Sequence, residues 1–275
     1  MKKLCLLLFI CISAHVAFAA GDNYPSGAQQ AGMGNAAVAN DGIWSVSHNQ
    51  AGLAKITEPT AAMYASQGFT LTQFTQGAFA FAYPTKIGVF ALSYHHSGMK
   101  LYNESKTGIA FSKSFGDALR FGAQANVSSV SLGDNYGRKA VPTFEFGIQT
   151  RLLKQLWLGV HLYNVSRTKL NSTEKIPVIA RVGLQYTFNK NVMASIEYEK
   201  NWIAKPLVKA GLEYKIIPDL SVRVGVNAGA SANTSVGIGY KLKDKLLLDA
   251  AATIDAKLGV SPHVGFTYLF KKNNK

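Results

Sequence analysis

The sequence predicts an all-β fold: a transmembrane antiparallel up-and-down β-barrel of about fourteen strands, with an N-terminal segment plugging the lumen. Three observations predict it. Apolar and polar residues alternate with the strand period along most of the chain. The apolar rows end in Tyr or Phe, as an interfacial aromatic girdle requires. Connections are short after even strands and longer after odd ones, as they are in a meander whose two ends face different compartments. Composition agrees. Of 275 residues only 16% are charged, whereas 48% are hydrophobic and 25 are Gly. A soluble domain carries about 25% charged residues. The apolar content excludes a disordered chain, and beyond the first twenty residues no apolar run is long enough for a spanning helix.

Residues 1–19 read as a secretory signal peptide: Lys2 and Lys3, a mostly apolar stretch from Leu4 to Val16, then Ala17-Phe18-Ala19. Cleavage there removes both cysteines, Cys5 and Cys11, and leaves no thiol or disulfide chemistry. It also takes two lysines from a formal charge of +14.

Residues 20–56 lack alternation, are rich in Gly and Ala, and are expected to enter the lumen. Eight strands enclose a space that side chains fill, and sixteen leave a channel, so a barrel of about fourteen needs a partial filling.

Residues 57–270 carry the barrel. Strands are expected over 58–67, 74–84, 86–95, 105–115, 118–130, 141–151, 154–166, 177–188, 191–200, 205–216, 219–229, 234–242, 245–254 and 261–270. Val178, Ala180, Val182, Leu184, Tyr186 and Phe188 form one apolar row; Val192, Ala194, Ile196 and Tyr198 form the next, and Val208, Ala210, Leu212 and Tyr214 another. Successive side chains on a strand point to opposite faces, so each row faces one way. Hydrocarbon satisfies no backbone group, so a spanning sheet must close on itself. Tight turns are expected at Pro84-Thr85, Phe115-Gly116-Asp117, Asn189-Lys190, Ile217-Pro218-Asp219 and Lys243-Asp244. Longer loops are expected at 97–103, 133–139, 167–175, 229–233 and 255–260. Arg138, Lys139 and Lys169 fall in or near these loops, where they meet anionic lipid head groups or are simply solvated.

The inward rows carry charges of both signs: Arg120, Glu145, Arg181, Glu197, Lys209, Glu213 and Arg223. They neutralise one another across the lumen or, given the basic excess, offer anions a path. Inward glycines (Gly147, Gly159, Gly183, Gly211, Gly225, Gly237, Gly265) would let a plug approach the wall closely.

Val264, Phe266, Tyr268 and Phe270 alternate up to a terminal aromatic, and this end resembles the assembly signal of bacterial outer-membrane barrels. Residues 271–275 form a basic tail beyond it.

The N-terminal segment resembles the signature of the PorV/PorQ family, itself similar to FadL-type hydrocarbon transporters. The residues are Gly27-Ala28, Ala31-Gly32-Met33-Gly34-Asn35-Ala36, Val38-Ala39-Asn40-Asp41, Trp44-Ser45-Val46 and Asn49-Gln50-Ala51-Gly52-Leu53-Ala54. Two positions depart from the pattern: Gln50 stands where a proline is usual, and Gln29 where an Arg is frequent. The resemblance implies a fourteen-stranded barrel with an inserted N-terminal segment, from a Bacteroidetes-like bacterium, with Met33, Gly34, Asn35, Trp44, Asn49, Gly52 and Leu53 as its plug motif. It implies a subunit of a protein-secretion (type IX) or outer-membrane assembly machine, partnered by other envelope proteins. The alternative is a FadL-like passive route for hydrophobic ligands, with an apolar pocket near Met33, Phe90, Trp157 and Met193. The shortness of the chain favours the first.

No enzyme signature stands out. G-x-S-x-G, H-E-x-x-H and phosphate-loop motifs are absent. His48, His95, His96, His161 and His263 show no metal-ligand spacing, so neither cofactor nor metal is expected. A signal peptide with dispersed charge argues against nucleic acid. The expected partners are outer-membrane lipid and envelope proteins.

Overall fold

A computed structural model describes residues 23–133, 137–171, 175–229 and 232–271. The expected signal peptide and the end of the basic tail lie outside the described residues. Fourteen strands close into an antiparallel barrel in sequence order. They are β1 (Thr60–Gln67), β2 (Thr75–Pro84), β3 (Val89–Met99), β4 (Tyr102–Phe115), β5 (Leu119–Leu132), β6 (Gly137–Leu153), β7 (Leu156–Tyr163), β8 (Ile179–Thr187), β9 (Val192–Asn201), β10 (Leu207–Ile217), β11 (Leu220–Ala228), β12 (Ala232–Leu242), β13 (Leu246–Asp255) and β14 (Gly259–Leu269). The barrel shuts where β1 pairs with β14, from Thr60 opposite Leu269 to Ser66 opposite His263. This seam leaves no edge strand, the condition for crossing a bilayer with a sheet.

The alternation sorts the residues as expected. Outward positions such as Leu92, Ile109, Val224, Ile238 and Val264 are exposed, Ile109 at 66%. Inward positions such as Arg120, Gln124, Glu145, His161, Arg181 and Glu197 are buried. A water-soluble sheet does the reverse, because a large contiguous apolar surface in water drives association. Tyr186, Phe188, Tyr214, Tyr240, Tyr268 and Phe270 are exposed and sit at or just past the strand ends that carry the tight turns. They outline a girdle at one rim.

The loop expectation needs correction. β3 and β4 run on to Met99 and Tyr102, leaving only Lys100 and Leu101 between them. β6 begins at Gly137 and β14 at Gly259, so the connections before them are short too. Continued strand pairing satisfies the backbone groups of residues expected to loop. Length asymmetry survives in 68–74, 164–178 and 202–206. β6 is the longest strand, with 17 residues, and pairs with β7 only from Glu145 on. Beyond Tyr163 the 164–178 connection takes over, with Val165 N donating to Phe144 O. Arg138, expected to meet lipid, instead bonds Ser129 Oγ through its guanidinium.

Candidate functional site: the barrel lumen

The register of β6 to β11 places the inward charges side by side. Arg181 faces Glu199, Glu197 faces Lys209, His161 faces Arg181, and Glu213 faces Arg223. Arg181 Nε lies 2.6 Å from Glu199 Oε2, and Lys209 Nζ lies 2.9 Å from Glu197 Oε1 and 2.8 Å from Glu199 Oε2. Arg223 joins Glu213 and Asp249, each at 2.7 Å. Glu145 takes Lys106 Nζ at 3.1 Å and His161 Nε2 at 3.0 Å. Arg120 stacks 3.8 Å over the Trp157 ring and reaches Gln149 Oε1. Buried charges persist when paired and hydrogen-bonded, so this row neutralises itself, leaving no continuous cationic track for anions.

The same wall grips the N-terminal segment. That segment contains two short helices, α1 (Ala28–Gly32) and α2 (Ser45–His48), and a 3-10 helix, Gln50–Lys55. The backbone N–H groups of Ala37 and Val38 donate to Glu197 Oε2 at 2.9 and 2.8 Å. Asn49 Nδ2 donates to Val38 O and to Ile148 O of β6, while its Oδ1 accepts from Ala51 N and caps the 3-10 helix. Gln50 Nε2 donates to Glu145 Oε2 at 2.8 Å, and Gln29 Nε2 to Glu213 Oε2 at 3.0 Å. Gln149 Nε2 donates to Asn40 O, and Ser195 Oγ to Asn40 Oδ1. His48 Nε2 donates to Ser26 O at 3.0 Å. Burial pushes the His48 pKa down to about 4, helped by Arg181 and Lys209 and opposed by Glu197, so the imidazole is neutral.

Inward glycines allow this approach. A β-carbon on Gly211 would collide with Met33, one on Gly225 with Gly34, and one on Gly159 with Val38. Gly34 has φ +65° and would itself, with a side chain, meet Val226 O at 2.6 Å. Of the other residues singled out in the segment, Met33 and Leu53 are fully buried, and Asn35 turns with φ 60°. Trp44 packs edge-on to Tyr64, and Gly52 abuts Ser45 and Asn40 O. Sequence reasoning did not single out Gln149 and Ser195, and named Gln29, Asn40, His48 and Gln50 without the contacts they make. Gln29 and Gln50 had a signal: they are the two departures from the resembled pattern, and both reach wall carboxylates.

The β1–β4 side of the lumen carries a patch of small apolar residues beside buried Ser93, His95, Glu104 and Ser112. Ala62, Ala78, Ala80, Ala82, Ala91 and Ala110 leave room for Ile43, Trp44, Val46 and Leu53. At the turn end a cavity of about 230 Å³ opens beside Ile43, Trp44, Ile56, Leu247 and Leu269, with Gln29, Asp41, Lys55, Glu58 and Asp249 around it. At the loop end Tyr24, His95, Lys106, Tyr163, Leu170 and Ile176 converge on a space of only about 10 Å³. The expected pocket does not form where it was placed. Phe90 points outward and packs on Phe111, Trp157 lies under Arg120, and Met33 sits at Gly211 and Gly225. The strand period decides this: Phe90 shares its face with Leu92.

Among the described residues no three His, Cys, Asp or Glu gather as a metal group.

No family model matches the chain, and no curated protein matches it. Solved structures do. The Ralstonia pickettii toluene transporter TbuX is 12% identical with a TM-score of 0.73, covering 89% of this chain and 98% of its own. A monoaromatic hydrocarbon channel, the TodX deltaS2S3 mutant, is 11% identical at 0.73, covering 89% and 99%. A Pseudomonas aeruginosa FadL homologue is 11% identical at 0.73, covering 92% and 100%. The PorV/PorQ resemblance and the secretion-machine role draw no support from these matches. At such low identity the likeness is one of fold alone: the chain shares the closed fourteen-strand barrel architecture of these proteins.

Proposed function

We propose that the protein is a passive outer-membrane channel for small hydrophobic molecules. The observation that carries this reading is the lumen, with an alanine-lined apolar patch on β1–β4 and paired charges on the facing strands, within a barrel architecture like that of hydrocarbon channels. The chain then divides into a signal peptide (1–19), a lumen plug (20–56), the barrel (57–270) and a basic tail (271–275), with both termini in the periplasm. Residues 23–56 act as the plug, held by Glu197, Glu145 and Glu213 on the polar side and packed on the alanine patch, where Ser112 Oγ donates to Ala51 O. The cavity beside Trp44 is large enough for a small aromatic molecule; an apolar cavity of roughly 150 Å³ holds benzene. A hydrophobic solute passes between plug and alanine wall with a small shift of the segment.

The test is entry of a hydrophobic aromatic probe and of a sugar of similar size into proteoliposomes. The protein is expected to speed the aromatic probe and not the sugar. Trp44→Ala should raise the aromatic rate and Ala80→Phe should lower it, both in barrels that remain heat-modifiable on gels. Equal acceleration of both solutes, or none, refutes the proposal.

A further inference from the structure

We propose that the turn-end rim of the wall from β6 to β10 selects anionic phospholipid head groups in the leaflet it meets. This rests on the membrane-channel reading. Four cations stand on this arc: Arg151 and Lys154 where β6 turns into β7, Lys190 where β8 turns into β9, and Lys215 near the end of β10. All four are exposed.

Backbone pairing holds them side by side. Thr187 N donates to Gln155 O at 2.9 Å, which sets the Lys154 turn against the end of β8. Asn189 Oδ1 accepts from Asn191 N and Val192 N and fixes the tight turn that carries Lys190. Lys215 N donates to Asn191 O at 2.8 Å, which brings β10 against that same turn.

No acid balances them. From 118 to 218 the chain holds six acids: Asp134, Glu145, Glu174, Glu197, Glu199 and Glu213. Four of these, Glu145, Glu197, Glu199 and Glu213, are buried in the lumen and paired with lumen cations. The connections that carry Asp134 and Glu174 leave from the opposite ends of the strands, and β7, the shortest strand of the arc with 8 residues, spans about 26 Å. Asp117 and Asp219 flank the arc. Asp219 is taken by Lys241 at 3.6 Å, and among the described residues no carboxylate makes an ion pair with any of the four cations.

The same arc presents apolar side chains just inside the cations. Leu153, Phe188 and Ile217 are exposed, and Phe188 stands two residues before Lys190, about 7 Å along an extended chain. A free anion would leave these rows uncovered, and a hydrocarbon would leave the cations unmatched. An acidic protein would have to cover apolar rows that the bilayer already covers. A lipid with its phosphate at Lys154 and Lys190 and an acyl chain on Phe188 satisfies both. A zwitterionic head group brings a cation of its own, so the unbalanced rim favours a lipid of net negative charge. Tyr186 and Phe188 belong to the aromatic girdle, which marks where hydrocarbon gives way to head groups.

Phe188 is the place for a reporter. It is 57% exposed, whereas Trp44 is buried and Trp157 lies beneath Arg120 inside the barrel. Full-length protein carrying Trp202→Phe and Phe188→Trp is reconstituted in phosphatidylcholine bilayers with a minor fraction of phosphatidylglycerol. Bromine is placed on the acyl chains of one lipid or the other. Per mole of lipid, brominated phosphatidylglycerol is expected to quench the reporter at least about fivefold more strongly. Arg151→Gln/Lys154→Gln/Lys190→Gln/Lys215→Gln in that background, still heat-modifiable on gels, should bring the two lipids to parity. Lys154→Arg/Lys190→Arg keeps the charge and should keep the preference. Equal quenching before the fourfold substitution, a preference that survives it, or a preference lost in the arginine pair overturns the site and leaves the channel reading intact. So does binding of polyglutamate through the four cations with no preference among lipids, which would assign the rim to an acidic protein. If neither lipid quenches the reporter, the wall does not meet the bilayer, and both readings fail.

Discussion

Glu197 holds the lumen together at the scale of one residue. One oxygen accepts the Ala37 and Val38 amides, and the other faces Lys209. Glu197→Ala leaves Lys209 and Arg181 underpaired in a buried row and frees two amides. Breaking a buried pair costs about 3–5 kcal/mol. Protease cleavage within residues 23–56 is expected to rise sharply, with the barrel still folded. Gly225→Val drives a side chain into Gly34. Overpacking of this kind costs about 1–3 kcal/mol, and the same protease assay should show the segment loosened. His48 gives a pH dependence. Its pKa falls from 6.5 to about 4 on folding, so the unfolded or undocked form binds more protons between those values. Docking is therefore strongest above pH 6.5 and weakens as pH falls toward 4, by up to about 3 kcal/mol. Trp44 fluorescence reports it, and His48→Gln, which keeps a donor toward Ser26 O, should flatten the profile.

Among the elements, the β1–β14 seam stands apart because it joins the two ends of the barrel chain. Phe270 N donates to Pro59 O, and its ring packs on Phe81 of β2 and Tyr268 of β14. Phe270 therefore clasps the closing strands, and we assign Phe266, Tyr268 and Phe270 to assembly on that ground. Phe270→Ala should lower the fraction of heat-modifiable barrel in isolated membranes, and Phe270→Tyr should restore it. Equal folded fractions in all three proteins would refute that assignment. The seam was legible in advance only as an aromatic alternation up to residue 270. Its partner, β1, carries a small-residue row that alternation places in a strand without naming its neighbour.

For the whole molecule, the lumen and its filling make one unit. Fourteen strands enclose more space than wall side chains fill. A chain keeping the signal peptide but lacking residues 23–56 is expected to conduct small ions in planar bilayers, with the intact chain nearly silent. If the two conduct alike, the segment does not occlude the lumen. Such a truncation also strips Glu145, Glu197 and Glu213 of their amide and Gln partners, so it should lower the unfolding temperature.

Sequence by itself determined a barrel of about fourteen strands, the closed antiparallel sheet and the sorting of apolar and charged residues. A period of two carries that information locally, and every strand repeats it. It also marked the glycines along which the segment lies, because a missing side chain is visible in the letters. Loop lengths were less legible, because pairing continues wherever two chains stay within reach, as from Tyr102 to Leu132. Tertiary structure alone decided which wall each segment residue meets. Glu197 and Ala37 are 160 positions apart, and no period links them. It alone showed an alanine patch on β1–β4 facing paired charges on β6–β11.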